Sequence, residues 1–288
     1  MGTYVVTGSA SGMGRQAAEK LRAAGHKVIG IDINDAEIRA DLSTQDGRRS
    51  AAEAALGACG GVLDGAVLAA GLGPIPGRSR LIAQVNYFGV VDLLTALRSA
   101  FASAGCAKVV VVASNSTTTT PMVPRRAVRS LLAGDVDKAL GAVRIFGNRS
   151  AAMSYAASKI AVSRWVRRHA VAPEWAGAGI RLNALAPGAI MTPLLAEQLD
   201  NPGEAKAIKA FPVPVGGYGD AAQIADWMVF MLSDAAEFLC GSVIFVDGGS
   251  DAYFRSESWP AAVPFRGLPR YLLRFLSYAR SRRALGRT

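Results

Sequence analysis

Short apolar runs recur along this 288-residue chain, and most are followed by a stretch long enough for a helix. Thr3–Thr7, Val28–Asp32, Gly65–Ala70 and Lys108–Ala113 lie in the first half, and Ile180–Leu185 and Ser242–Val246 follow later. A further short run ends at Asp41-Leu42. Runs this apolar have no solvent-facing side, so they read as strands buried on both faces, which is the signature of a parallel sheet. Helical patterns fall at about 15–24, 44–58, 79–104, 152–170 and 220–233. The alternation predicts an α/β fold: a doubly wound, mostly parallel seven-stranded sheet with helices on both faces.

In open sheets of this kind, ligands bind beyond the carboxyl ends of the strands. The first strand runs into Thr7-Gly-Ser-Ala-Ser-Gly-Met-Gly14, which opens a helix. Gly8, Gly12 and Gly14 permit a tight turn and close backbone approach, while Ser11 and Met13 sit where the helix begins. Free N–H groups there suit a pyrophosphate, as in a Rossmann-type dinucleotide site. The second strand ends at Asp32, 18 residues after Gly14. A carboxylate there accepts the hydroxyls of the adenosine ribose and repels a 2′-phosphate, and neither Ser11 nor Ile33 supplies an arginine to hold one. The cofactor expected is NAD rather than NADP. Asp41 and Leu42 are candidates for the adenine wall. Gly71 and Ser114 end the next two long strands and should edge the same crevice.

Tyr155-Ala-Ala-Ser-Lys159 lies inside the predicted helix 152–170. Residues four apart share a helix face, so the ammonium of Lys159 is expected near the phenol of Tyr155. A cation held there favours the phenolate and lowers the phenol pKa from about 10. Such spacing is also common in helices with no chemistry, so the pair gains meaning from its company.

That company is ordered. The turn Thr7–Gly14, Asp32, Gly71, Asn86, Ser114, Tyr155-x3-Lys159, Pro187-Gly188 with Thr192, and the closing Val246-Asp-Gly-Gly249 together resemble the short-chain dehydrogenase/reductase family over residues 3–250. The spacing of Asn86, Ser114, Tyr155 and Lys159 is most similar to the family's bacterial hydroxysteroid dehydrogenase branch. The resemblance implies that Tyr155 is the general acid/base and that Lys159 lowers its pKa and binds the nicotinamide ribose. Ser114 would hydrogen-bond the substrate oxygen, and Asn86 would hold a water linking Lys159 to solvent. Ile190 and Thr192 would grip the nicotinamide carboxamide, with Met13, Ala70, Gly71, Pro187 and Gly188 completing the cofactor wall. One departure is Ala69-Ala70-Gly71, where the family usually carries an asparagine before Ala-Gly. A second is the long segment 115–150 between Ser114 and Tyr155. It is expected to alter either the pocket mouth or a subunit interface.

Two histidines and three scattered cysteines leave little material for a metal site, a Ser-His-Asp triad or a disulfide frame. No apolar run is long enough to span a bilayer and no leader is evident, so a cytoplasmic protein is expected. The formal charge is +10, but residues 255–288 hold eight arginines against one acid, Glu257. The basicity belongs to a tail rather than to the body, which argues against nucleic acid as partner. Within the tail, Leu268, Tyr271, Leu272, Phe275, Leu276 and Ala279 form an amphipathic helical pattern. Packing on its own or a neighbouring subunit ranks first for this helix. Contact with a membrane surface through 268–285 ranks second, and disorder is the third reading. A homodimer or homotetramer is expected.

Leu72, Pro74, Thr117, Met122, Met153, Leu194, Leu195, Phe211 and Pro212 are candidate pocket residues and are mostly apolar. The expected activity is NAD-dependent interconversion of a secondary alcohol and a ketone on a neutral hydrophobic substrate, with a hydroxysteroid among the candidates. The alternatives are a reductase of another carbonyl, such as a 3-oxoacyl chain, and a non-catalytic dinucleotide-binding regulator.

Overall fold

The computed structural model describes residues 1–200, 202–259 and 261–284, the side chains of 202, 204 and 279–284 excepted. Seven strands form one parallel sheet: β1 (Thr3–Thr7), β2 (Lys27–Asp32), β3 (Ile38–Arg39), β4 (Gly65–Leu68), β5 (Lys108–Val112), β6 (Arg181–Pro187) and β7 (Val243–Val246). Their spatial order is β3-β2-β1-β4-β5-β6-β7. The order reverses between β1 and β4, whose carboxyl ends are paired Thr7 to Leu68. A crevice opens at such a reversal because the chain leaves neighbouring strands toward opposite faces. The predicted sheet is the one observed, with strand ends moved by one to three residues. β3 ends at Arg39, and Asp41 follows in a turn.

The two sheet faces are sorted by the period of two along each strand. Val5, Ala66, Leu68, Val109 and Val111 face one core with the helices Gln45–Cys59, Gly89–Ala104 and Ser150–His169. Tyr4, Val6, Val67, Val110 and Val112 face the other, against Gly12–Ala23 and Ala221–Leu232. Burial on both sides explains why these strands carry no polar alternation.

The predicted helix 79–104 is not regular. Ser79–Ala83 passes into a π-helical turn, Gln84–Phe88, before Gly89–Ala104 resumes. Single π turns inside α-helices mark positions where a side chain is re-aimed, and Asn86 lies at the centre of this one.

Segment 115–150 forms a helical hairpin, Arg125–Leu132 and Val136–Val143, followed by a 3₁₀ stretch to Arg149. Gly134 takes the left-handed conformation between the helices (φ 79°). Asp135 caps the second by accepting from Lys138 N at 2.9 Å. Ala127, Val128, Leu131, Ala139 and Val143 are buried in the same core as the Ser150–His169 helix. None of residues 121–151 lines the main crevice. The hairpin therefore thickens the helical layer, while the start of the segment, Asn115, Ser116, Thr119 and Thr120, lines the crevice.

The stretch 193–219, rich in Pro, Gly and Ala, contains two helices, Pro193–Asp200 and Pro202–Lys209, and a short strand Gly219–Asp220 paired with Ile190–Met191. From Phe254 the chain forms a separate compact unit carrying the helix Leu268–Ala284. No helix among the described residues is long and apolar enough to cross a membrane.

Candidate active site

The strand-to-helix turn after β1 is shaped by its glycines. Gly8 has φ 70°, and a Cβ there would stand 2.9 Å from Ala70 N. A Cβ on Gly14 would stand 2.2 Å from Gly8 O. Neither position tolerates a side chain, so the turn lies flat against the end of β4. The helix begins at Gly12 after Ser11, whose exposed side chain makes no capping hydrogen bond. Asp32 reaches back over this turn. One carboxylate oxygen accepts from Ala10 N at 3.1 Å and the other from Asn34 N at 3.0 Å. The acid at the end of β2 is thus fixed beside the glycine-rich turn. Ile33 follows it, exposed. These features fit a dinucleotide: a cradle that a Cβ would fill, a free helix start and an oriented acid beside it.

Two cofactor candidates are placed differently from expectation. Leu42 is buried in the core, so its side chain is no wall for a ligand. Asp41 is exposed and accepts from Ser43 N at 2.8 Å. That turn sends the leucine inward because the helix Gln45–Cys59 needs an apolar contact beneath its first turn. Ala70 N–H donates to Thr7 Oγ1 at 3.0 Å. A threonine thus ties the ends of β1 and β4 together where the family's asparagine is missing.

Tyr155, Lys159, Ser114 and Asn86 converge at the carboxyl ends of β4 and β5. The Tyr155 hydroxyl lies beside the side chain of Ser114. Ser114 Oγ also accepts from Ser116 N at 3.1 Å, which fixes its rotamer. Lys159 Nζ is buried, donates to Val112 O at 2.8 Å and lies 5.9 Å from the centre of the Tyr155 ring. Asn86, wholly buried, bonds both backbone groups of Leu72, accepting from its N–H at 2.8 Å and donating to its carbonyl at 2.9 Å. Between them lies Gly71, where a Cβ would stand 3.3 Å from Asn86 Oδ1 and 3.6 Å from Lys159 Nζ. The glycine is the gap through which these two side chains approach.

The electrostatics depart from the sequence reading. Burial pushes the Tyr155 phenol up from its ordinary value, and the Ser114 hydroxyl pulls in the opposite direction. Burial also lowers Lys159 to about 8. The lysine donates to the Val112 carbonyl with its Nζ 5.9 Å from the ring centre, and in the chain alone burial outweighs any lowering of the phenol. Desolvation dominates because no acid or second cation reaches either group.

The cavity over this cluster measures about 520 Å³. Its wall contains Tyr155, Lys159 and Ser114, with the cofactor candidates Met13, Gly71, Pro187, Gly188, Ile190 and Thr192. Of the nine proposed pocket residues, Leu72, Pro74, Leu194, Leu195 and Phe211 belong to the wall. Four do not. Met153 faces the core, and Met122 is exposed at φ 59°. Thr117 is turned to the Ser114 carbonyl at 2.8 Å. Pro212 supplies a carbonyl to Ser250 Oγ. Sequence reasoning missed Ser116, Thr119, Thr120, Gln198 and Ile208. The spacing of Leu194 and Gln198, one helical turn apart, could have signalled the last turn of that wall. The Ser116 hydroxyl is buried with no partner in the chain and lines the cavity. A larger hollow of about 780 Å³ lies beyond Gly188–Ile190 against Trp227 and Phe230, and it contains none of the four converging residues.

Residues 138–251 match a family profile described as enoyl-(acyl carrier protein) reductase. The chain is similar to the 3-alpha-hydroxysteroid dehydrogenase/carbonyl reductase of Comamonas testosteroni, with 38% identity over 88% of this chain and 98% of that protein. It is similar in structure to the 3-alpha-hydroxysteroid dehydrogenase of Pseudomonas sp. B-0831 complexed with NADH. There the TM-score is 0.83 and the identity 42%, covering 89% of this chain and all of that one. A gluconate 5-dehydrogenase candidate from Beutenbergia cavernae, solved with bound NADP at low occupancy, matches at TM-score 0.67 and 29% identity over 87% of this chain and 96% of that one.

Proposed function

The chain belongs to the short-chain dehydrogenase/reductase family and is an oxidoreductase; from that premise we propose that it interconverts a secondary alcohol and a ketone on a neutral hydrophobic substrate, a hydroxysteroid first, with NAD. The observation that carries the reading is the Tyr155 hydroxyl beside Ser114 at the wall of a largely apolar cavity, with the Lys159 ammonium close to the ring.

NAD, when bound, accepts the hydride from the alcohol carbon or, reduced, donates it to the ketone. The chain handles the proton. Tyr155 takes it from the substrate hydroxyl in oxidation and returns it to the ketone oxygen in reduction. The Ser114 hydroxyl, held by Ser116 N–H, donates to the same oxygen and stabilises its developing negative charge. Lys159, mostly ammonium at pH 7 with a pKa of about 8, offers donors to the nicotinamide ribose. Asn86 acts by position: its amide pins the Leu72 backbone and so the floor beneath Gly71. The glycine-rich turn and Ser11 receive the pyrophosphate, Asp32 the adenosine ribose, and Ile190 and Thr192 the carboxamide. In substrate binding, Leu194, Leu195, Ile208 and Phe211 contribute apolar contact. Among the described residues no arginine or lysine other than Lys159 is in the cavity wall, which favours a neutral ligand.

Removing the Ser114 hydroxyl tests the oxygen-binding role. Ser114→Ala should lower kcat by about 10²–10³-fold, the usual loss for one such donor, with little change in KM. A change confined to KM would assign Ser114 to ground-state binding only. Cofactor choice tests Asp32. A carboxylate within about 4 Å of a 2′-phosphate repels it by roughly 1–4 kcal/mol, depending on local dielectric. NAD should therefore be preferred over NADP in kcat/KM by about tenfold or more, and Asp32→Ser with Ile33→Arg should reverse the order. Equal use of both cofactors by the unaltered protein would overturn the assignment. Formation of NADH with a panel of 3-hydroxysteroids and simple secondary alcohols tests the reading as a whole. Turnover confined to 3-oxoacyl thioesters would favour the alternative reading as a reductase of another carbonyl.

A further inference from the structure

The segment beyond Tyr253 is accounted for by neither the catalytic site nor the relatives. The Comamonas protein is spanned almost completely by 88% of this chain, and the Pseudomonas structure completely by 89%. About a tenth of this chain therefore has no counterpart in either, a share the size of the unit that starts at Phe254. That unit carries the helix Leu268–Ala284, with Pro269 in its first turn, where a missing N–H costs nothing.

Its surface is unusual for a unit bathed only in water. Trp259, Phe265, Tyr271, Leu272, Phe275 and Leu276 are all exposed, between 50% and 89%. Leu268, Tyr271, Leu272, Phe275 and Leu276 recur at helical spacing and share one face. Arg270 and Arg274 fall on the opposite side. From Ser258 to the end of the sequence there is no aspartate or glutamate, against seven arginines. The arginines at 280, 282 and 283 belong to the undescribed side chains and enter only as charge.

We propose that the helix Leu268–Ala284 docks this protein on an anionic membrane surface, lying in the plane of the headgroups. Exposed Phe, Tyr and Leu on one face, arginine on the other and no acid are a composition that interfacial helices share, with the exposed Trp259 close before the helix. The apolar stripe enters the boundary of the acyl chains, and the guanidinium groups meet lipid phosphates. No described helix is long and apolar enough to span, so attachment is to one leaflet. Charge favours this occupant over a second copy of the same tail. Two such tails side by side would bring arginines together with no acid after Glu257 to pair them. The inference does not rest on the substrate assignment, but the two are compatible, because a hydrophobic alcohol or ketone partitions into the same bilayer.

The test is sedimentation of the full-length protein with vesicles of phosphatidylcholine alone and of phosphatidylcholine mixed with phosphatidylglycerol. The protein should pellet with the mixed vesicles, stay largely in solution with the neutral ones and be released by high salt. A full-length variant with Leu272→Asp and Phe275→Asp should bind the mixed vesicles at least tenfold more weakly, as should one with Arg270→Ser and Arg274→Ser. The altered side chains are exposed, and unchanged NADH binding in each variant shows that the catalytic unit remains folded. Three results would overturn the proposal: no pelleting with either vesicle, equal pelleting of the variants, or loss of subunit assembly in the aspartate variant with vesicle binding unchanged. The last would assign the helix to a second copy of the chain. None of these readouts involves turnover, so a wrong substrate assignment leaves the result interpretable.

Discussion

Replacing Tyr155 by Phe lowers kcat/KM by about 10³–10⁴-fold and leaves NADH affinity within a factor of about three. The expected loss is the upper end of what a positioned proton carrier contributes. The substitution removes one oxygen and keeps the ring, so the helix Ser150–His169 and its packing are undisturbed. The groups proposed to hold the cofactor are the glycine-rich turn, Asp32, Lys159 and the Ile190–Thr192 segment, and the substitution leaves all of them in place. The two effects therefore separate, and a fluorescence titration with NADH alongside steady-state kinetics reads both. The Ser114 hydroxyl loses a neighbour in the variant but keeps the Ser116 N–H. Turnover above a tenth of the original would mean that another group carries the proton.

Replacing Lys159 by Met makes the cofactor-free protein more stable while abolishing most turnover. Lys159 is fully buried, and desolvation holds its pKa at about 8 in the folded chain against 10.5 for the model side chain. The folded state therefore binds this proton less readily than the unfolded state does. At pH 7 both states are protonated, and the folded state bears the whole cost, on the order of 3 kcal/mol. Between pH 8 and 10.5 the unfolded chain holds more protons, so this group's contribution to stability rises with pH and the penalty disappears by about pH 10 to 11. Methionine fills a similar volume without charge, and the Val112 carbonyl loses one donor. The net expectation is a gain of about 1–2 kcal/mol at pH 7, or several degrees in Tm. The gain should shrink as the pH is raised to 10. Differential scanning fluorimetry across that range checks both the sign and the trend. A destabilised variant at pH 7 would show that the Val112 hydrogen bond outweighs the burial of the charge. Retention of a charge that destabilises its own fold is the expected mark of a functional lysine.

Tyr155 and Lys159 are legible in the sequence because helix geometry ties positions four apart, and Ser114 because a strand end points at the crevice. Asp32 is legible for the same reason, and the structure locks it to the glycine-rich turn. The remainder needed the third dimension. The π turn that aims Asn86 has no local signature, because one extra residue in a helical turn leaves the apolar pattern intact. Leu42 was misplaced because a two-residue strand carries too little periodicity to say which side faces the core. Met153 lies two residues from Tyr155, yet two helical steps turn it toward the sheet. Met122 lies near the crevice in sequence but points to solvent. Gln198 and Ile208 enter the wall from helices whose Pro, Gly and Ala content reads as loop. The insertion's helices were visible from their spacing, but not the layer they thicken. The expected effect of Lys159 on the phenol failed for an electrostatic reason: sequence spacing shows proximity, whereas burial sets the sign.

The most direct test of the account is the appearance of NADH when the protein is mixed with NAD and 3α-hydroxysteroids, beside the Tyr155→Phe variant under the same conditions. The account predicts NADH formation by the unaltered protein, with the variant binding NAD and forming about a thousandfold less. Binding of NAD with no turnover of any hydroxysteroid, secondary alcohol or ketone would contradict it, and would leave a dinucleotide-binding protein that does no hydride chemistry.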